Sequence, residues 1–521
     1  MTEAGTETAP RSGRRSGGAR GGAARRGGGG LRQSPWELAV NADRPIDPMR
    51  PEGVEAVHDA AMRVLEEIGV DFLHDEAREI LRAAGCRVEG LRVRMGRDFV
   101  MEMVRRAPAQ FDITPRNPER RVTIGGDRMV FVNVSSPPNA MDLDRGRRVG
   151  NMTDFCNLIR LTQAFNCIEL AGGYPVEPVD VHASVRHLDC LFEKLTLTDK
   201  VVHAYSLGRE RVEDVMEMVR IAGGLSHEEF DAAPRMYTNI NSSSPLKHDQ
   251  PMLDGAMRCA RRGQPVIVTP FTLAGAMAPV TLAGATVLSV AECLAAVALL
   301  EWIRPGAPVV MGTFTSNVDM KSGAPAFGTP EYARATQMAG QMARHYGLPM
   351  RASNACAANA PDGQAMWESA NSLWACVTSG TNVVYHAAGW LEGGLIASFE
   401  KFVMDCELVQ QLRHYMKGVT VTEGDLALEA IREVDSSGHF FGCQHTQDRY
   451  ESAFYQPFLS DWRNYEAWSQ AGAIETAARA NAIWKRILAE FEPPAMDEGV
   501  REELSDFVAR RKAEGGAPTD F

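Results

Sequence analysis

The chain has 521 residues, of which 45% are apolar and 23% are charged, and its formal net charge is −12. These values predict a soluble globular protein with a large buried core, built either as one domain with extensions or as two domains. The first 32 residues hold seven arginines and two glutamates, so the rest of the chain is acidic, which argues against nucleic acid as the main partner.

Residues 1–34 form an Arg/Gly-rich leader that we expect to be disordered. The segment has few apolar residues, and residues 27–30 are all glycine, so it cannot bury enough surface to fold. The lack of an apolar core segment argues against a secretory signal. A transit peptide stays open if the source is eukaryotic, and RNA binding is an alternative reading of the arginine and glycine content.

Residues 35–125 are predicted to form an N-terminal helical cap with a small β element. Residues 51–69 and 76–84 are amphipathic with a helical period, and a shorter helix is expected over 100–107.

Residues 126–420 alternate between strand patterns and helix patterns. The strand patterns are rich in branched or aromatic residues and cover 129–134, 168–174, 201–207, 235–240, 265–270, 308–314, 350–354 and 382–387. The helix patterns cover 154–165, 181–197, 211–222, 250–262, 285–302, 331–346, 364–378 and 395–417. Strict alternation implies parallel strands, and eight such units predict an α/β fold, a closed (β/α)8 TIM barrel.

An open doubly wound sheet is the alternative fold. It is disfavoured because no G-x-G-x-x-G follows the first strand and no G-x-x-x-x-G-K-[ST] occurs in the chain. In a barrel the ligand site lies at the carboxyl ends of the strands.

The predicted strand ends form a rim that is rich in amides and aromatics and nearly uncharged. A metal site would need several His, Asp or Glu there, but His203 and His386 stand almost alone. A Schiff-base enzyme would need a lysine inside a strand, whereas Lys200, Lys247 and Lys321 lie in flanking segments. The rim residues are Asn133, Ser135, Tyr174, Tyr205, Asn239, Asn241, Thr269, Phe271, Phe314, Asn354 and His386.

The last predicted strand runs directly into a glycine-rich turn. Residues 382–394 read NVVYHAAGWLEGG, so Tyr385, His386, Trp390 and Glu392 could converge on one small ligand. Aromatic faces with a carboxylate suit a cation. The alternative is structural, with His386 as a hydrogen-bonded core residue and Trp390 packed beneath a helix.

Residues 421–521 are predicted to form a C-terminal helical extension, with helices over 423–433, 465–491 and 500–512. The middle helix would bury one face, which carries Trp468, Trp484 and Ile487. Such a face fits a lid or a dimer contact equally well, so a homo-oligomer stays open.

The cysteines and apolar runs bear on the location of the protein. None of the ten cysteines has C-x-x-C spacing, which is typical of free thiols in a reducing cytoplasm. Cys443 with His439 and His445 is a weak indication of a metal site, and a structural role is its alternative. No membrane span is predicted, because Glu292 and Glu301 interrupt the apolar run 287–303.

The composition of the rim is that expected for a quaternary ammonium group, which aromatic rings hold by cation–π contacts. Such a substrate leaves as a neutral tertiary amine and needs no general acid. Its methyl group reacts only with a very strong nucleophile that no ordinary side chain supplies, so an external cofactor is required.

Several blocks of the sequence resemble the trimethylamine methyltransferase family, and the resemblance covers about residues 35 to 490. The blocks are residues 278–285 (APVTLAGA), 304–310 (RPGAPVV), 319–323 (DMKSG), 343–349 (ARHYGLP), 361–365 (PDGQA), 391–394 (LEGG), 438–442 (GHFFG) and 465–468 (YEAW). It is their combination that is specific, since each block alone is short.

The resemblance implies a (β/α)8 barrel that moves a methyl group from a methylated amine to the Co(I) corrinoid of a separate carrier protein. No pyrrolysine occurs in the chain, which implies the branch that acts on quaternary amines such as glycine betaine. The corrinoid motif D-x-H-x-x-G is absent, because Val185 follows Asp180 and His182 where the glycine would lie, so the carrier must supply the cofactor. Residues 353–360 depart from the family pattern, which leaves the substrate open.

The aromatic rim residues are expected to hold the ammonium group. Tyr174, Tyr205, Phe314 and Trp390 would form the cage, and Tyr385 would lie beside the same ligand.

The remaining candidates are polar. His386 would hydrogen-bond the substrate or gate the approach of cobalt, and Glu392 would add long-range charge. Asn133, Asn239 or Asn241 would bind or orient a substrate carboxylate. Two other functions stay open: a barrel lyase or hydrolase with Glu392 and His386 as acid and base, whose pKa values would then be strongly perturbed, and a non-catalytic protein that binds betaines.

Overall fold

Eight parallel strands close into a barrel in the computed structural model, which describes residues 31–205 and 207–519. Each strand pairs with the next one in chain order, and the eighth pairs with the first. The strands are β1 (Arg128–Asn133), β2 (Leu170–Ala171), β3 (Val201–Ala204), β4 (Tyr237–Ser242), β5 (Val266–Ala274), β6 (Val309–Gly312), β7 (Met350–Ser353) and β8 (Val383–Ala388). The predicted (β/α)8 barrel is confirmed.

One long helix follows each strand. The helices are α1 (Met152–Ala164), α2 (Arg186–Leu197), α3 (Arg209–Ala222), α4 (Gln250–Arg261), α5 (Leu282–Ile303), α6 (Pro330–Tyr346), α7 (Gly363–Ser379) and α8 (Phe399–Met416). The sequence predicted all eight, but it began α2 at residue 181 and α8 at residue 395. The later start of α8 arises because Ile396–Ser398 pairs with Trp390–Leu391 as a hairpin before the helix begins.

Four strands differ clearly in length from their predictions: β2, β3 and β6 are shorter, and β5 is longer. β2 is short because side chains of the β1 end bind the backbone that follows it: Asn133 Oδ1 accepts from Gly172 N at 2.6 Å, and Ser135 Oγ accepts from Gly173 N at 3.0 Å. β5 is longer than predicted, since its second half pairs with an additional strand, Phe314–Val318.

A hairpin closes the end of the barrel at which the strands begin. It pairs Gln110–Ile113 with Val122–Gly125. Its apolar side chains join a buried cluster with the first residues of the barrel strands, including Val201, Ile267 and Val383. Because this end is filled by side chains, a ligand can enter only at the opposite end.

Residues before the hairpin pack around α5. Helix Pro51–Arg63 continues as a π-helical turn, Val64–Ile68, and helix Arg97–Val104 contacts α5 as well. A small sheet combines Val70–Phe72, Arg87–Glu89, Arg92–Arg94 and Lys247–His248. From Gln33 onward the described residues form one compact unit, so domain boundaries near residues 126 and 421 stay predictions.

Helix α5 corrects the statement that Glu292 and Glu301 make this apolar run unsuitable as a membrane span. It is long and apolar enough to cross a membrane by length and composition, although Glu292 and Glu301 lie within it. Most of the helix is buried in the protein, and the Glu292 carboxylate accepts hydrogen bonds from Leu246 N and from two serine hydroxyls. These contacts are those of a core helix.

The C-terminal segment differs from its prediction at two points. The expected helix over 423–433 is interrupted at Ala427, which has a positive φ angle. The expected helix over 465–491 is two helices, Tyr465–Gln470 and Thr476–Ala489, because Gly472 and Ala473 both have positive φ angles. Trp484 of the second helix packs on Phe399 of α8 with ring centroids 4.9 Å apart, so that face is used within the chain. Residues 1–30 of the predicted leader lie outside the described residues.

Candidate active site

A cavity of about 520 Å³ lies where the barrel strands end. This volume suits one small organic ligand. Its lining combines aromatic rings, amides and hydroxyls, and its charged members are Asp249 and Arg351. The lining residues are Ser135, Ser136, Gly173, His203, Tyr205, Leu207, Asn239, Asn241, Ser242, Ser243, Asp249, Met252, Phe271, Phe314, Phe327, Arg351, Tyr385, His386, Trp390, Gly393 and Gly394.

Phe314 is the centre of an aromatic cluster in the cavity wall. Its ring centroid lies 5.2 Å from that of Phe271, 5.4 Å from that of Phe327 and 6.1 Å from that of Trp390. Such a cluster presents several negative π faces to one small volume, which attracts a cation.

A second aromatic pair supports the wall through Tyr205. Its ring stacks on that of Tyr174 with centroids 4.7 Å apart and planes only 2° from parallel. Tyr205 lines the cavity, whereas Tyr174 is buried behind it. Of the four predicted cage residues, the structure therefore brings Tyr205, Phe314 and Trp390 to the cavity and places Tyr174 as their support.

The three predicted asparagines lie in different places. Asn133 is fully buried and is used by backbone groups, donating through Nδ2 to Val134 O at 2.7 Å. Asn239 lines the cavity, but its amide is engaged at both ends, by Thr269 Oγ1 at 2.8 Å and by Asn241 Oδ1 at 2.9 Å. The Nδ2 group of Asn241 makes no hydrogen bond within the described residues.

A β-bulge in β8 turns two consecutive side chains into the cavity. In a regular strand Tyr385 and His386 would face opposite sides. The register with β1 shifts between Val384 and Ala388, and His386 has a φ of 53°. A bulge of this kind re-aims a side chain at the cost of local strain, so both Tyr385 and His386 line the cavity.

Both histidines of the cavity are neutral. Burial lowers the pKa of His203 to about 3, with repulsion from Lys194 and Arg351 adding to the effect. Burial also lowers the pKa of His386 well below its ordinary value, again with a contribution from Arg351. Asn239 N donates to His203 Nε2 at 3.1 Å, and Ser135 N donates to His386 Nδ1 at 3.2 Å. The proton therefore lies on Nδ1 of His203 and on Nε2 of His386.

These lowered pKa values predict a loss of stability in mild acid. The unfolded histidine takes up a proton near pH 6.5, whereas folded His203 does not until about pH 3, so stability falls as the pH drops below 6.5. The loss for His203 should be about 1.4 kcal/mol between pH 7.5 and 5.5. Urea unfolding of the parent and of His203→Asn at both pH values measures it. Equal losses in the two proteins would contradict the prediction.

Glu392 lies apart from the cavity. Its carboxylate accepts from Arg147 Nε at 3.0 Å, and it is not among the residues that line the cavity. The following Gly394 approaches the Trp390 ring so closely that a Cβ there would lie 2.6 Å from a ring carbon. The turn therefore delivers the Trp390 ring, and not the Glu392 carboxylate, to the cavity.

A buried ion pair fixes this turn from behind. Asp405 Oδ2 accepts from Gly389 N at 2.9 Å, and the other carboxylate oxygen binds Lys401 Nζ. Lys401 also donates to Ser369 Oγ at 2.6 Å, and all of these side chains are fully buried. Because Gly389 lies between His386 and Trp390, this pair holds both residues in place.

Several cavity residues were not singled out from the sequence, among them Arg351 and Phe327. Arg351 is buried, lines the cavity and stacks over the Tyr385 ring at 4.5 Å. The sequence did contain an indication of Arg351, since an arginine within the short strand 350–353 is unusual at a buried position. Phe327 comes from the segment between β6 and α6 and had no local signal.

The loop that departs from the family pattern has a structural role. The amides of Ala357 and Ala358 donate to Glu368 Oε2 at 2.8 and 2.9 Å. None of residues 354–360 lines the cavity. The loop therefore lies behind the cavity wall, where its carbonyls accept from Glu392 N and Gly393 N.

The described residues hold no group of three or more His, Cys, Asp or Glu side chains arranged to bind a metal ion. Cys443 Sγ contacts Phe440 O and Thr446 Oγ1, and His445 Nε2 contacts Gly424 O. These contacts favour the structural alternative for this segment.

Known proteins share the sequence of this chain over most of its length. A family model described as trimethylamine methyltransferase (MTTB) matches residues 14–516. Glycine betaine methyltransferase of Desulfitobacterium hafniense is 39% identical over 464 residues, which cover 89% of this chain and 96% of that protein. Proline betaine:corrinoid methyltransferase of Eubacterium limosum is 28% identical and covers 74% of this chain and 81% of its own.

A solved structure, that of the Methanosarcina barkeri monomethylamine methyltransferase, has a TM-score of 0.45 at 10% identity and covers 88% of this chain and 92% of its own. Because the family model spans nearly the whole sequence and one relative is 39% identical, the resemblance predicted from the sequence blocks is confirmed. The chain belongs to the trimethylamine methyltransferase (MTTB) family.

Proposed function

We propose that this protein transfers a methyl group from a quaternary amine such as glycine betaine to the Co(I) corrinoid of a separate carrier protein. The observation that carries the proposal is the cavity at the strand ends, where the rings of Tyr205, Phe314 and Trp390 surround one small volume. The names of the relatives that act on glycine betaine and proline betaine support the same substrate class.

The chemistry of the lining suits a substrate that needs no proton. The C–N bond breaks with its electron pair on nitrogen, so the amine leaves neutral. His203 and His386 stay uncharged at neutral pH because burial lowers their pKa values, and they can donate hydrogen bonds without adding a cation that would repel the ammonium group. The aromatic wall holds the cation and excludes water around the reacting methyl group.

An external nucleophile fits what the cavity residues can do. Asp249 caps helix α4 by accepting from Met252 N at 2.9 Å, and the histidines are held by backbone donors. The corrinoid, when a carrier presents it, supplies the electron pair for the new bond to the methyl group. The open strand-end side of the barrel is where we expect that carrier to dock. The ten free, buried cysteines fit a reducing cytoplasm, where Co(I) would persist.

A two-stage experiment tests this function. Thermal melting with millimolar glycine betaine, proline betaine, carnitine, choline and their dimethyl products should show a rise only with quaternary amines, since a ligand of the folded state raises the melting temperature. The ligand that binds should then act as the methyl donor to a Co(I) corrinoid. Methylation of the corrinoid is followed by the change in its visible absorption spectrum.

The outcomes separate the alternative functions. No melting shift with any quaternary amine would refute the ammonium pocket. Binding with no methyl transfer, in the presence of free Co(I) cobalamin and of carrier proteins encoded near the gene, would favour a non-catalytic betaine binder. A lyase or hydrolase that uses Glu392 is not supported, since that carboxylate is paired with Arg147 outside the cavity.

A further inference from the structure

We propose that Arg351 is the anion anchor of the site: it binds the carboxylate of a zwitterionic quaternary amine and so selects betaines over amines that carry only the positive charge. This inference rests on the proposed function and adds the residue that determines specificity within it. The sequence predicted that asparagines would bind the substrate carboxylate. Asn133 lies outside the cavity and Asn239 is engaged at both ends, which leaves the Nδ2 group of Asn241 as the one amide donor of the three that could assist Arg351.

Arg351 is a buried cation without a counter-ion. Its side chain is 3% exposed, and it makes no ion pair with any carboxylate in the described part of the chain. Its one hydrogen bond runs from Nη1 to Thr313 O at 3.1 Å, and Nε has no partner. A buried charge in this state is costly unless it is paired. The missing partner is therefore expected to be an anion that enters the cavity.

A second unused hydrogen-bond donor lies near Arg351. His203 Nδ1 is buried without a partner, whereas the Tyr385 hydroxyl interacts with the hydroxyl of Tyr237. His203 must carry its proton on Nδ1, because Nε2 accepts from Asn239 N. The Tyr385 ring lies directly under the guanidinium of Arg351. The centroid of the His203 ring is 6.4 Å from the centroid of the Tyr385 ring. Arg351 Nε and His203 Nδ1 are therefore unused donors on residues that line one cavity, and such donors are complementary to a carboxylate.

The depth of Arg351 also orients the substrate. It is the second residue of β7, two positions before the strand ends at Ser353, and its guanidinium lies 5.7 Å from the centroid of the Phe314 ring, whereas Trp390 follows the end of β8. A betaine whose carboxylate reaches Arg351 therefore places its trimethylammonium group among the rings nearer the opening. That orientation presents a methyl group outward, toward the side from which a carrier must approach.

Three ligands with the same branched end separate the two charges. Glycine betaine carries both charges, betaine methyl ester carries only the cation, and 3,3-dimethylbutyrate carries only the carboxylate. Calorimetric titration of the parent should show the ester binding about 10- to 150-fold more weakly than glycine betaine, the range for a hydrogen bond between charged groups. In Arg351→Met, glycine betaine should fall to the level of the ester, and the ester should bind no more weakly than in the parent.

Arg432→Met, which removes an exposed arginine, is the matched control and should change neither affinity. Arg351→Lys should recover part of the loss, since it restores the charge without the planar fork. If Arg351→Met does not fold, Arg351→Lys still tests the role of the residue, because a change in the ratio of the two affinities relative to the parent is expected only if Arg351 binds the carboxylate.

Equal binding of the ester and glycine betaine by the parent would overturn the role of Arg351, as would an equal loss of both in Arg351→Met, and either result would leave the ammonium pocket intact. Arg351-dependent binding of 3,3-dimethylbutyrate alone would keep the anion anchor and refute the quaternary amine function. Binding of none of the three would refute both.

Discussion

Trp390→Leu is expected to weaken the binding of every quaternary amine by about 10- to 30-fold. The indole lines the cavity, is only 8% exposed and lies 4.0 Å, centroid to centroid, from the His386 ring. A cation on a desolvated tryptophan face gains about 2 kcal/mol, which corresponds to this change in affinity. Leucine fills apolar space but has no π face. Calorimetric titration with glycine betaine and with its methyl ester measures the effect.

The neutral isostere 3,3-dimethylbutyrate distinguishes charge from shape in this experiment. It has the same branched end without the positive charge, so Trp390→Leu should change its affinity far less. Trp367→Leu removes a tryptophan that is 60% exposed and serves as the control for the substitution itself. An equal loss for the charged and the neutral ligand would show that Trp390 acts by packing alone.

The two substitutions, Trp390→Leu and Arg351→Met, should therefore give opposite patterns. The first should weaken every ligand that carries the cation, whereas the second should weaken every ligand that carries the carboxylate. Glycine betaine should lose affinity in both. This crossed pattern would assign one charge of the substrate to each end of the cavity.

Local patterns were sufficient to predict the barrel because each unit is short and regular. Strand β8 begins with Val383 and Val384, which suit a strand buried on both sides, and its end at a glycine marks the turn. Helix α6 begins at Pro330 and is followed by Gly347, and proline and glycine favour those two positions. Strict alternation of strands and helices is compatible with few folds, and a closed parallel barrel is the simplest of them.

The site was harder to predict because it depends on departures from regular structure. Tyr385 and His386 are adjacent in sequence, and a regular strand would have sent one of them outward. Their shared direction requires the bulge and the positive φ of His386. The position of Glu392 could not be predicted for the same reason, since it is set by the hairpin turn and by the distant Arg147.

Arg351 shows a different limit of the sequence. The sequence shows that an arginine lies within β7. It does not show that this arginine lacks a counter-ion, because that depends on which side chains the seven other strands place nearby. Phe327 comes from a connecting segment whose path no local pattern predicts. The positions of side chains that are set by long-range packing can therefore be determined only from the structure.

Asp405→Ala is expected to lower the free energy of unfolding by about 3–5 kcal/mol, the usual cost of removing one partner of a buried ion pair. The substitution leaves Lys401 as a fully buried cation and removes the acceptor of Gly389 N. Because Gly389 connects His386 to Trp390, the cavity should loosen as well, and quaternary amines should bind more weakly. Urea unfolding and ligand titration measure the two effects.

The double variant Lys401→Met/Asp405→Leu separates burial from charge. It removes both charges and fills the space, so it should be more stable than Asp405→Ala alone, while Gly389 N still lacks its acceptor and binding stays weak. Glu429→Ala breaks an ion pair at the surface and should leave stability unchanged. A double variant no more stable than Asp405→Ala would mean that the backbone hydrogen bond to Gly389, and not the unpaired Lys401, accounts for the loss.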